Sequence, residues 1–251
     1  MTELVHYAVE RAIATVTLDS PGNRNALSAQ LVGELTAHLH RAADDDGVRA
    51  VVLAHTGSTF CAGADLAESR SEGGPQQGTA RMVELLRLIV ELPKPVLARV
   101  EGNVRAGGLG LVGACDLAIA GPTSSFAFTE VRLGLAPAII SLTTLPRMTE
   151  RAAGRYYLTG ETFDAETAAG IGLITDAPAD VEAALTAVLD ALRLCSPQGL
   201  AETKPLTTSA VRRAFAEDAV AVQQQSARLF ASEQAREGTL AFLQKRPPSW
   251  S

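Results

Sequence analysis

Gly102-Asn103-Val104-Arg105-Ala106-Gly107-Gly108-Leu109-Gly110 decides how this chain reads. It follows the apolar stretch 96–100, a strand entered through Lys94-Pro95 after Pro93 stops a helix. It leads into a short helix, and another short buried strand follows at 116–120. A second small-residue turn lies upstream, Phe60-Cys61-Ala62-Gly63-Ala64-Asp65-Leu66. It too follows a buried strand, at 49–55, and is expected to open a helix. Small residues leave the backbone N–H groups of such turns unblocked at a helix N-terminus, where anions and developing oxyanions are favoured. Two such turns brought together would offer two N–H donors to one oxygen.

Further out, residues 7–20 read as strand with a hairpin turn at Glu10-Arg11, and Pro21-Gly22-Asn23 breaks the chain. Ser28 caps a helix running to about Ala43, with Leu31, Leu35 and Leu39 on one face. Asp44-Asp45-Asp46-Gly47 ends it. Residues 58–63 read as loop. Residues 69–78, rich in Gly, Ser, Gln and Glu, read as a mobile surface loop before a helix at 79–91. After about Ala179 the pattern turns helical, with segments 181–194, 198–214 and 218–237. The fold class is therefore α/β, with strand–strand–helix units over residues 1–179 and a helical region over 180–251.

Composition narrows the function. The 251 residues suffice to bury a core without staples, and 20% charged residues exclude global disorder. A net charge of −6 argues against nucleic acid or an anionic membrane as the main partner. The start MTELVHYAVE lacks a signal peptide's features, and no apolar run approaches the roughly 18 residues of a membrane span. Cys61, Cys115 and Cys195 form no disulfide or metal pattern, so a reduced, cytoplasmic setting is expected. His6, His38, His40 and His55 lie outside the two turns, and no metal site is expected.

FCAGADL, EGNVRAGGLGLVGACDLAIA, FAFTEVRLGLAP and AFLQKR occur in the order and spacing of the enoyl-CoA hydratase/isomerase (crotonase) superfamily, which this chain resembles over nearly its whole length. The resemblance implies a spiral of ββα units with C-terminal helices that form a homotrimer or a hexamer. It implies an acyl-coenzyme A thioester as substrate and no separate cofactor. It places the oxyanion N–H donors at Ala64 and Gly107, with Ala62 and Gly108 keeping the site narrow. It places coenzyme contacts at Arg24, Phe242 and Lys245. Asp65 stands beside the first turn, as a helix-start residue or a reserve carboxylate. Arg105 is expected to point to solvent, or to meet an acidic acyl tail.

The typical hydratase of this family carries two glutamates. Here the first position is Gly110, and only the second, Glu130, is kept. Apolar neighbours Phe126, Phe128, Leu133 and Leu135 would raise the pKa of Glu130, as acid–base work requires. A lone second glutamate resembles Δ3,Δ2-enoyl-CoA isomerases, whereas the Gly-Leu-Gly-Leu and Gly-Leu-Ala-Pro-Ala-Ile-Ile-Ser stretches resemble hydratases of the methylglutaconyl-CoA type. Hydration is favoured. Isomerisation, another crotonase chemistry such as thioester hydrolysis or decarboxylation, and non-catalytic acyl-CoA binding are the alternatives.

Overall fold

The computed structural model describes residues 2–66, 68 and 74–250. β1 (Val5–Glu10) and β2 (Ile13–Leu18) form an antiparallel hairpin. Arg11 and Ala12 make its two-residue turn, both at positive φ (47° and 65°), which matches the twist of the strands. The turn is one residue later than the sequence suggested. β2 then pairs in parallel with β3 (Ala50–His55), β3 with β5 (Val96–Val100) and β5 with β7 (Leu117–Ala120). All six residues of β3 are buried because both faces of this sheet are covered. Val51 and Leu53 enter the main core, and Val52 enters a second cluster on the opposite face.

A second sheet contains β4 (Thr59–Cys61), β6 (Asn103–Arg105), β8 (Ser125–Ala127) and β9 (Phe163–Asp164), in that order. β4, β6 and β8 are parallel neighbours, just as β3, β5 and β7 are. Each turn of the chain thus lays one strand in each sheet before a helix returns it. The segment 58–63, expected as loop, holds β4. Its strand character comes from pairing with β6, which the local sequence does not announce.

The helices follow in chain order. α1 (Ala29–Asp44) starts at Ser28, whose Oγ accepts from Leu31 N–H at 3.2 Å, and buries Leu31, Leu35 and Leu39 completely. α2 (Gly74–Glu91) begins earlier than the expected Thr79. Residues 74–78 are thus helical rather than loop, while 69–73 lie outside the described residues. Leu85, Leu86, Ile89 and Val90 bury the apolar face of α2, and this packing carries its polar start into the helix. α3 (Gly107–Ala114), α4 (Ala138–Thr144), α5 (Glu150–Thr159) and α6 (Ala165–Gly170) complete the core.

α7 (Val181–Arg193) covers the outer face of the first sheet, where Val181, Leu185 and Leu189 meet Ile13, Val52, Leu97 and Ile119. α8 (Pro197–Thr207), α9 (Ser209–Phe230) and α10 (Glu233–Leu243) follow. The expected helix breaks are displaced: residues 215–217 lie inside α9, and the breaks fall at Thr208 and Ala231–Ser232. Hydroxyls set both, through Thr208 Oγ1 on Lys204 O (2.6 Å) and Ser232 Oγ capping Ala235 N–H (3.1 Å). Val211, Phe215 and Ala219 of α9 belong to the main core.

α8 is tied to the core by a buried cation. Lys204 Nζ donates to Ile89 O (2.8 Å) and Lys94 O (2.9 Å) and pairs with Asp116 Oδ2 at 2.8 Å. Asp116 Oδ2 also accepts from Val96 N–H. Lys204→Met is expected to destabilise the protein by about 3–5 kcal/mol, because it strands a buried carboxylate. Chemical denaturation reads this directly, and an unchanged midpoint would remove the ion pair from the account.

Candidate active site

Three chain segments leave the carboxyl ends of β4, β6 and β8 side by side. They are Ala62-Gly63-Ala64, Ala106-Gly107 and Phe128-Thr129-Glu130. Ligands of parallel α/β sheets characteristically bind at this end.

The first segment is fixed by the chain break after β2. Ala62 N–H donates to Arg24 O (3.1 Å), Leu27 N–H donates to Gly63 O (2.8 Å), and Leu27 bridges Ala64. Arg24 is thereby brought beside the turn, exposed and at positive φ (60°). Gly63 has φ 92°, and an added Cβ would lie 2.8 Å from Ala106 Cβ and 3.0 Å from Gly107 N. The two small-residue turns are therefore in contact, as the sequence suggested. The helical turn after the first is short: Glu68 is in 3-10 conformation, and among the described residues no α-helix begins at 64–66. Ala64 is held by its bridge to Leu27 instead, and α2 starts only at Gly74.

The second turn is strained. Ala106, at φ 47° and ψ −120°, sits in a region that costs a non-glycine residue about 1–3 kcal/mol. Its N–H is pinned to Ala127 O at 3.2 Å, and the chain enters α3 immediately. Residues 108–114 of that helix are all buried, so its N-terminal dipole acts with little screening by water. A Cβ at Gly108 would lie 2.6 Å from Cys61 O, and this close approach lets α3 rest on β4. The N–H groups of Ala64 and Gly107 meet no protein acceptor among the described residues. Cys61, adjacent to both turns, is no nucleophile: burial pushes its thiol up to about 12.

The third segment carries the carboxylate. Glu130 lies in the 3-10 turn Thr129–Leu133. The residue keeps some surface, but its Oε2 is buried with no hydrogen-bond partner among the described residues. Burial pushes its pKa up to about 7, against a smaller opposing pull from its own backbone N–H. The fully buried Phe128 packs at a tilt of 38° against Tyr157, with ring centroids 4.4 Å apart. Tyr157 lies within electrostatic reach of Glu130, and its hydroxyl bonds Thr144 Oγ1 at 2.5 Å.

Gly110 is filled from outside. A Cβ there would stand 2.6 Å from Ile140 Cγ2 and 3.3 Å from Leu86 Cδ1. The position that carries a first glutamate in typical hydratases is occupied by an isoleucine of α4. Sequence reading noticed the absence of a carboxylate but not this plug, nor Leu27 and Met82, which flank Gly107. Only tertiary contacts reveal them.

Other candidates separate. Arg105 is half-buried rather than simply turned to solvent. Its guanidinium donates to Val104 O, Ser125 O, Ser125 Oγ and Asn103 Oδ1, tying β6 to β8. Asp65 Oδ1 accepts from Glu68 N–H at 3.2 Å, the bond of a capping residue. Phe242 and Lys245 are exposed at the end of α10. Arg246 is held by Glu237 in a two-bond pair of 2.7 and 2.8 Å, which leaves Lys245 as the cation there with no carboxylate within ion-pair range among the described residues.

The comparisons with known proteins agree with this architecture. The Enoyl-CoA hydratase/isomerase family profile matches residues 8–251. The crystal structure of an enoyl-CoA hydratase from Mycobacterium avium is similar over 100% of both chains, with 55% identity and a TM-score of 0.93. An enoyl-CoA hydratase structure from Mycobacterium smegmatis has 33% identity over 98% of each chain and a TM-score of 0.78. The 2,3-dehydroadipyl-CoA hydratase of Escherichia coli K12 is 31% identical over 260 residues, covering 100% of this chain and 99% of its own. With its two parallel strand ranks, its touching glycine turns and its match from residue 8 to the last, this chain belongs to the enoyl-CoA hydratase/isomerase family.

Proposed function

We propose that the protein hydrates an α,β-unsaturated acyl-CoA with Glu130 as its one acid–base group. The buried Glu130 Oε2, with no partner among the described residues, carries this reading, because a carboxylate with a pKa near neutrality suits proton transfer in both directions. The thioester oxygen sits between Ala64 N–H and Gly107 N–H. Glu130 takes a proton from water, and the hydroxide oxygen bonds to C3. The electron pair of the C2–C3 double bond moves onto the thioester oxygen as an enolate, which the two N–H donors stabilise by roughly 3–4 kcal/mol each. Collapse of the enolate takes a proton at C2, returned from Glu130 directly or through a second water, so one water is added in all. Ala62 and Gly108 keep the channel clear of side chains.

The coenzyme phosphates are met by Arg24 and Lys245, with Phe242 against adenine and Asp65 holding the first turn. Cytoplasmic and acidic as a whole, the protein needs only these local cations for a polyphosphate ligand. Residues 180–251 form a trimerisation region, and the exposed Val220, Leu240 and Leu243 supply apolar surface for it. The single glutamate and the apolar contact at Gly110 support a likeness to hydratases of the methylglutaconyl-CoA type.

Isomerisation is the second reading, favoured by the same plug at Gly110, since one carboxylate can carry a proton between C2 and C4. Parallel assays of a 2-enoyl-CoA and a 3-enoyl-CoA with product masses distinguish them. Hydration adds the mass of one water, whereas isomerisation leaves the mass unchanged. Tight binding without turnover on either substrate would make the protein an acyl-CoA binder. The pH dependence follows from the sign of the Glu130 shift. Hydration needs the ionised base, so its kcat/KM is expected to rise through about pH 7 and then level. The reverse dehydration starts from the same ionised carboxylate, which takes the C2 proton and passes it to the departing hydroxide, so its kcat/KM rises over the same range. A hydration limb near the ordinary glutamate value would contradict the assignment.

A further inference from the structure

The turn that carries Glu130 is braced by the last helix of the same chain, backbone against backbone. A Cβ at Gly238 of α10 would lie 2.5 Å from both the carbonyl carbon and oxygen of Leu133, and 2.7 Å from its Cα. A Cβ at Gly134 would lie 2.7 Å from the carbonyl carbon and oxygen of Gln234 and 3.0 Å from Ala235 N. Neither position admits a side chain without displacing one element from the other. Gly134 also holds φ 71°, which closes the 3-10 turn. On the inner side, Leu135 N–H returns to Glu130 O at 3.0 Å and Gly134 N–H to Val131 O at 3.4 Å. The backbone around Glu130 is thus fixed from within by hydrogen bonds and from without by α10. The far end of that helix presents Phe242 and Lys245.

We propose that Gly134 and Gly238 form a clamp through which α10 positions Glu130 for proton transfer and couples it to occupation of the coenzyme end at Phe242 and Lys245. The proposal rests on Glu130 being the acid–base group. Gly238 touches no substrate and is a positioning residue. Close-packed contacts of this kind shift as units, so a methyl at 238 must move the turn or the helix by roughly 1 Å. A displacement of that size is enough to spoil a proton-transfer geometry.

Gly238→Ala tests this. In the folded variant, kcat for hydration is expected to fall on the order of tenfold or more, because the reacting group is misplaced. KM for the acyl-CoA should stay within about twofold, since no binding contact is removed. A folded variant with wild-type kcat overturns the clamp. Should the variant fail to fold, amide exchange on the wild-type chain decides. Adding free coenzyme A should slow exchange at Gly134 and Leu135 together with the amides of α10. Protection confined to α10 would overturn the coupling. Glu130→Gln is assayed alongside. Retained turnover in it defeats the acid–base reading itself, whereas an inactive Glu130→Gln beside an unimpaired Gly238→Ala defeats the clamp alone.

Discussion

Glu130→Gln is expected to abolish turnover and, at the same time, to stabilise the fold above neutral pH. The activity loss should be on the order of a thousandfold, the middle of the range for removing a general acid–base group. The stability gain comes from the same burial that tunes the carboxylate. The pKa of Glu130 is raised from 4.5 to about 7 in the folded chain, so folding holds its proton more tightly than the unfolded chain does. The favourable contribution is complete below the unfolded value and is lost as pH rises through about 7, amounting to about 3 kcal/mol. Glutamine carries no charge to bury and escapes this loss. Melting temperatures of the two proteins should therefore lie close together near pH 5 and separate near pH 8, with the variant higher. A separation independent of pH would show that the carboxylate is not the buried, tuned group described above. The stored cost is what a site accepts when it keeps a buried carboxylate oxygen ready for a proton.

Gly110→Glu is expected to damage the protein rather than restore a two-glutamate hydratase. Its Cβ alone would collide with Ile140 Cγ2 at 2.6 Å and crowd Ile140 Cβ at 3.2 Å and Leu86 Cδ1 at 3.3 Å. Overpacking of a close-packed core costs about 1–3 kcal/mol, and a carboxylate placed among apolar side chains adds to it. The expected fall in melting temperature is on the order of 10 °C, with no gain in hydration. Shortening the plug in the double variant Gly110→Glu with Ile140→Ala should recover much of that stability, because it vacates the space the new side chain needs. A stable single variant that hydrates faster would show that the site lacks only its first glutamate, and that Ile140 has no part in defining the chemistry.

Local patterns made some elements legible in the sequence, and long-range contacts hid others. The Ser28 cap, the four-residue leucine spacing of α1 and the uninterrupted apolar run of β3 each report their own structure, and each was found within a residue or so. Glycines at 63, 107 and 108 were readable as close-approach positions, and the two turns that hold them are indeed in contact. The resemblance to a known family joined them to Glu130. β4 was not legible, since its three residues are strand only through their pairing with β6. The bonds of Arg105 were not legible because its four acceptors come from β6 itself and from Ser125, twenty residues away. Ile140 was invisible as a plug because thirty residues separate it from Gly110. The break between α8 and α9 falls at residue 208, not at 215–217, because a threonine hydroxyl bonding back to Lys204 O sets it.

The most direct test of one-carboxylate hydration uses isotopic water. A 2-enoyl-CoA turned over in water enriched in oxygen-18 should yield a 3-hydroxyacyl-CoA carrying one heavy oxygen at C3, with the label absent when Glu130→Gln replaces the wild-type enzyme. Consumption of a 3-enoyl-CoA with no label entering any product, and no hydration of the 2-enoyl-CoA, would contradict the account.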